Sequence, residues 1–318
     1  NDHPFRSMQS SPLFLLLRTT VARHHWPASP RQVVRKISTE MIESGETFVS
    51  LSDGTQLPFH CRRSPVNMII GHGLGAHPAR KSWNADISYD IIDGAISRLP
   101  PGATSTSCRL DVSGSTPTKT AVFYTARGHG TSRGWEDSAA GEEEEGRGLT
   151  HRMFHWRNLA KDMLEVADLS GALKEEESFV AMGQSMGAAT ALYLAMDHPE
   201  RIDGLVLMRA PRAWESRKIV ASEGVRDAEN FRRANPGTFH HLPLLGAWSG
   251  TDLPPKEDSG AYRRVQCPVL ILSHGKDAAH PIDTGEALAR LIPHAEFVTA
   301  EDESSARRTW PQEIANWL

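Results

Sequence analysis

Phe179-Val180-Ala181-Met182-Gly183-Gln184-Ser185-Met186-Gly187-Ala188-Ala189 is the stretch whose reading decides the fold. Its four leading apolar residues read as a buried strand, and the alanine-rich run 188–196 reads as a helix. Between them stands a G-x-S-x-G pattern. A serine on such a strand-to-helix turn sits in a strained conformation that lifts its hydroxyl above the sheet edge. The flanking glycines relieve crowding where the strand and helix backbones nearly touch, and Ala188 and Ala189 keep the start of the helix equally slim. The helix N-terminus adds partial positive charge near the reacting oxygen. The five-residue pattern alone occurs by chance. Strand, small residues and helix together make Ser185 a candidate nucleophile.

Outward from this stretch the same rhythm repeats. The run 66–70 ends in His72-Gly73-Leu74-Gly75, and 121–124 ends in Arg127-Gly128-His129-Gly130. The run 205–208 ends in Ala210-Pro211, 269–272 ends in His274-Gly275-Lys276-Asp277, and 296–299 is the last. Helical patterns are clearest over 156–169, 188–196 and 284–291. Residues 47–51 alternate, Asp53-Gly54 marks a turn, and 56–59 resumes, which reads as a hairpin. Continuous apolar strands alternating with helices imply an α/β fold, with a mostly parallel central sheet covered by helices on both faces. The folded domain is expected over 46–318, with a small helical cap inserted at about 212–264. Residues 76–120 are long for one connection, and 100–118 is expected to be an exposed loop. The run Glu142 to Glu145 between glycines reads as a solvated loop.

Composition bounds the function. The chain has 318 residues, 39% of them hydrophobic, enough for one large α/β domain with a substantial core. Its net charge of −4 implies no broad basic surface, so no nucleic-acid partner is expected. Cys61, Cys108 and Cys267 are odd in number and widely spaced, giving neither a disulfide framework nor zinc-ligand spacing. No metal or cofactor motif appears, so no cofactor is expected. No apolar stretch approaches the roughly 18 residues of a transmembrane helix. The arm 1–45 differs from the rest: up to Lys36 its basic residues stand against the single acid Asp2. Read as a transit peptide, 8–36 would direct the chain to a mitochondrion or plastid; read as a basic tail, it leaves the chain cytoplasmic.

An acyl-transfer serine needs donors for the oxyanion that develops on its substrate. The backbone N–H of Met186 follows the candidate nucleophile directly. The second donor is expected from the loop after an earlier strand, where His72-Gly73-Leu74-Gly75 stands, so the N–H of Leu74 is the choice.

With these motifs the chain resembles the α/β-hydrolase superfamily over about 46–318. The resemblance rests on the His72-Gly73 loop, the Arg127-Gly128-His129-Gly130-Thr131-Ser132 turn, the Ser185 elbow and the loop from Gly275 to Pro281. It implies the chain order serine, acid, histidine. It places the acid at Asp277, in the loop after the run 269–272 and four residues before Pro281. Two departures follow. Thr125 stands where the family usually carries an aspartate, two residues before Arg127. More seriously, the family's histidine follows the last strand, and here Ala300 to Arg307 contain none, nor does anything beyond. Without a base, a serine hydroxyl is a poor nucleophile at neutral pH.

Geometry prunes the other histidines, because the site of a parallel sheet lies beyond the carboxyl ends of its strands. His198 and His294 precede their strands. His129 belongs to a glycine turn, and His72 is occupied by the oxyanion loop. His274 and His280 lie on the correct edge, and His240 and His241 belong to the cap. His280 is favoured, with Asp277 or Glu215 as its acid. The expected function is a serine hydrolase acting on an ester-like carbonyl of a small molecule through an acyl-enzyme. Epoxide or haloalkane chemistry would need an aspartate at position 185. The cap aromatics Trp214, Phe231, Phe239 and Trp248 suggest an apolar acyl or alcohol part on the substrate, although such residues more often form a cap's own core. The rival reading is a catalytically silent ligand-binding protein that keeps the elbow as architecture.

Overall fold

The apolar runs pair as one eight-stranded sheet in the order β1-β2-β4-β3-β5-β6-β7-β8. In the computed structural model, residues 47–64, 66–74, 87–99, 119–136, 150–173, 177–236 and 240–318 are described. The strands are β1 (Thr47–Ser50), β2 (Gln56–Arg63), β3 (Met68–Gly71), β4 (Thr120–Tyr124), β5 (Phe179–Gln184), β6 (Ile202–Met208), β7 (Val269–His274) and β8 (Ala295–Ala300). β1 and β2 form the hairpin, β2 joins β4 antiparallel, and every pair from β4 to β8 is parallel.

The strands are continuously apolar because both faces of the sheet are covered. Ile69, Val122, Ala181, Leu205 and Ile271 point into one layer. There they meet α2 (Trp156–Leu169), α3 (Met186–Asp197) and α7 (Ile282–Leu291). Their strand neighbours Ile70, Phe123, Met182, Val206 and Leu272 point into the other. That layer is closed by α1 (Ile87–Arg98) and α8 (Glu303–Trp317).

Neither α1 nor α8 stands out in the sequence. α8 carries Pro311 in its interior and is largely polar. Its buried Ala306, Trp310 and Ile314 nevertheless recur every four residues, the spacing of one helix face. Asp302 caps it by accepting the Ser305 N–H. α1 packs on it where Gly94 meets the ring of Pro311, and Asp90 pairs with Arg307 at 2.6 Å.

Between β6 and β7 the described residues form three helices, α4 (Trp214–Ala234), α5 (Leu242–Trp248) and α6 (Ser259–Arg263). Arg217 of α4 is buried and donates to the carbonyls of Thr251, Ala247 and Arg212. It also lies between the rings of Trp156 and Trp248, at 4.3 and 4.7 Å. No helix among the described residues is long and apolar enough to cross a membrane. The arm 1–45, the stretch 100–118 and the Glu142 to Glu145 run fall outside the described residues.

Candidate active site

Ser185 is the residue between β5 and α3, with φ 53° and ψ −115°. A non-glycine residue holds such a conformation only when its surroundings enforce it. Here the enforcement is backbone contact. A Cβ on Gly183 would lie 2.1 Å from the carbonyl carbon of Gly187, and one on Gly187 would lie 2.3 Å from the carbonyl oxygen of Gly71. The two elbow glycines therefore let β5, α3 and β3 approach closely enough to hold the turn. The Ser185 N–H donates to the Met208 carbonyl at 3.1 Å, tying the turn to β6 as well.

Nε2 of His280 lies 2.8 Å from Oγ of Ser185, and Nδ1 of His280 lies 2.8 Å from Oδ2 of Asp277. A carboxylate only accepts, so Nδ1 carries the proton of the neutral imidazole and Nε2 is left to accept from the serine hydroxyl. The two residues stand in one loop after β7. Oδ1 of Asp277 accepts the N–H groups of Ala279 and His280 at 3.1 and 3.2 Å, folding the loop back on itself. Burial would raise the Asp277 carboxyl. The hydrogen bond from His280 and the Arg209 guanidinium outweigh it and hold the group well below the usual carboxylate range.

The loop after β3 abuts the elbow. A Cβ on Gly73 would stand 3.6 Å from the Ser185 Cβ, and the Gly187 N–H donates to the His72 carbonyl at 3.0 Å. His72 fixes this loop rather than entering chemistry. Its Nε2 accepts the Ala126 N–H at 2.9 Å, so its Nδ1 holds the proton and donates to the Gly73 carbonyl at 2.7 Å. The loop that carries Leu74 is thereby fastened to the end of β4. Met186 is the first residue of α3, where backbone N–H groups have no partner within the helix.

The remaining candidates take other places in the fold, with His274 beside Asp277. Glu215 is exposed on α4 and pairs with Lys256 at 3.3 Å, away from His280. His241 is buried at the start of α5, and His129 donates from Nδ1 to the Arg127 carbonyl at 2.9 Å. His274 donates from Nδ1 to the Gly275 carbonyl, which leaves its Nε2 facing Asp277 Oδ2 at 3.6 Å. Trp214 and Trp248 are used within the fold. Trp214 donates to the Pro254 carbonyl and lies under Lys256, while Trp248 closes on Gly224 and Arg217. Phe231 is 38% exposed, and Phe239 falls outside the described residues.

Two arginines escaped the sequence reading. Arg209 donates from Nε and Nη2 to Asp277 Oδ2 at 2.9 and 2.6 Å. Arg212 donates from its backbone N–H to the Ala279 carbonyl at 3.1 Å and from Nη2 to the Ala278 carbonyl. Both follow the run 205–208, on the same sheet edge as His274 and His280. That position was legible; the pairing needed the β6–β7 register, Met208 beside Leu272. A third arginine, Arg127, is buried with both oxygens of Asp162 at 2.9 Å and with Asp53 at 2.6 Å. Burial opposes its charge, but the two carboxylates outweigh it and keep it protonated. This network pins the Arg127 turn to α2 and to the β1–β2 hairpin.

The family model described as alpha/beta hydrolase fold matches residues 123–251. No curated protein matches the chain in sequence. Among solved structures, a malate-bound thermophilic esterase from Thermogutta terrifontis is similar at 16% identity, TM-score 0.59, covering 86% of this chain and 97% of the other. A hydrolase from Pseudomonas aeruginosa matches at 18% identity, TM-score 0.56, over 86% and 97%. An esterase from Exiguobacterium antarcticum matches at 15% identity, TM-score 0.56, over 85% and 98%. At these identities the likeness is one of fold.

Proposed function

Since this chain is an α/β-hydrolase-fold protein, we propose that it is a serine hydrolase, cleaving an ester-like carbonyl of a small molecule (carboxylic ester, thioester or amide) through an acyl-enzyme on Ser185. The observation that carries the reading is the relay from Ser185 Oγ through His280 to Asp277, each step 2.8 Å long. Ser185 Oγ attacks the carbonyl carbon while its proton passes to His280 Nε2. The imidazolium so formed keeps its Nδ1–H on Asp277 Oδ2. The carbonyl oxygen takes up the negative charge and accepts the N–H groups of Leu74 and Met186. The tetrahedral centre then collapses, and the leaving group departs with the proton from Nε2. Water repeats the sequence: its proton goes to Nε2, its oxygen bonds the acyl carbon, and the acyl–Oγ bond breaks with Oγ reclaiming the proton.

A fluorophosphonate probe tests the reading. Wild-type protein should become covalently labelled, and Ser185→Ala should not. Folded wild-type protein that resists labelling would favour the ligand-binding alternative, in which the elbow is architecture only.

A further inference from the structure

The Asp277 carboxylate is shared. Its Oδ2 receives Nδ1 of His280 and both Nε and Nη2 of Arg209, and the Asp277 and Arg209 side chains are only 9% and 15% exposed. Arg209 is held directly after β6 in the left-handed region, φ 50°, with its N–H on the Leu272 carbonyl at 2.7 Å. Strain of this kind persists where the surrounding contacts over-determine it, and it clusters at functional sites. The residue is fixed by β7 from its backbone and by the β7 loop from its side chain.

We propose that Arg209 is a positioning residue of this site, one that fixes the Asp277 carboxylate and, by compensating its charge, sets the pH range in which His280 works as a base. The inference rests on the reading of Ser185, His280 and Asp277 as a hydrolytic triad. An imidazolium beside a lone carboxylate is strongly stabilised; beside a carboxylate already paired with a guanidinium it is stabilised less. Arg209 thus favours the neutral imidazole, the form able to take the Ser185 proton.

The other groups around the pair do not duplicate this effect. His274, at the end of β7, faces the same oxygen with Nε2 at 3.6 Å, beyond hydrogen-bond reach. Arg212, from the β6 side, is engaged with the Ala278 carbonyl. Lys276 is exposed and pairs with Glu301 and Asp302 at 3.3 and 3.4 Å. Ser185 meets His280 from the elbow. Among the described residues, Arg209 is the cationic side chain hydrogen-bonded to the Asp277 carboxylate.

The test compares wild type, Arg209→Met and Arg209→Lys, with Arg209→Gln as a second neutral variant should the methionine protein fail to fold. The acid limb of the pH dependence of kcat/KM should move to higher pH by about one unit in the neutral variants, the scale for one nearby charge, and stay in place in Arg209→Lys. The NMR titration of the His280 imidazole, assigned by its loss in His280→Gln, should shift in the same way. A purely structural arginine would lower kcat/KM at every pH and leave both midpoints where they were; that result, in a folded neutral variant, overturns the proposal. The NMR measurement needs no turnover. Absence of Ser185-dependent hydrolysis would remove the hydrolytic reading, while the imidazole titration alone would still decide whether Arg209 governs the pair.

Discussion

Nε2 of His280 lies 2.8 Å from Oγ of Ser185 across 95 residues of sequence. The imidazole reaches the serine from the loop after β7, three residues beyond Asp277, instead of from the loop after the last strand. His280→Ala should therefore lower Ser185-dependent hydrolysis of a simple aryl ester by about 10²–10⁴-fold, the usual worth of a general base. Placing a histidine after β8, as Ser304→His or Ser305→His, should add little to the parent. A parent activity that survives His280→Ala would assign the base elsewhere.

The elbow glycines are required by space. A methyl group on Gly183 would overlap the Gly187 carbonyl at 2.1 Å, backbone against backbone, with no flexible side chain to give way. Gly183→Ala should destabilise the protein by about 1–3 kcal/mol or more, the scale for overpacking. Urea unfolding measures this directly, and an unchanged midpoint would refute the close approach of β5 and α3.

Arg127 and Asp162 form a buried pair, and removing one partner strands the other's charge. Arg127→Met leaves Asp162 in the core without its bidentate donor. The expected loss is about 3–5 kcal/mol. The double variant Arg127→Met with Asp162→Leu should recover a large part of it. Equal stability of the single and double variants would show that the loss does not come from the stranded Asp162 carboxylate.

Asp277 links stability to pH. Its carboxyl is held below the ordinary range in the folded protein, so the stability it contributes is fully present above the unfolded value of about 3.9. That contribution is lost as pH falls below this value and through the depressed native one. Between about pH 5 and pH 3, the melting temperature of the wild type should fall more steeply than that of Asp277→Asn. Parallel curves would mean that the carboxylate is not held by His280 and Arg209 as described.

Asp277 was singled out by the family resemblance, while the sequence alone determined the alternation of strand and helix, the strand-to-helix turn at Ser185 and the loop at His72 to Leu74. These features are local: apolar runs, small residues and turn chemistry act between near neighbours in the chain. It also determined the edge on which a base must lie, because the carboxyl end of a parallel strand can be read without knowing its neighbours. Tertiary structure decided the rest. Among His274, His280, His240 and His241, only the packing of β5 against β6 and of β6 against β7 brings one imidazole, that of His280, to the serine. The same registers carry Arg209 to Asp277 and leave Glu215 outside with Lys256. The helices α1 and α8 were hidden for a related reason. Their apolar faces are narrow, and Pro311 interrupts the second. Packing of the two helices on each other and on the sheet holds them in place, and that contact spans more than two hundred residues, as Asp90 and Arg307 do.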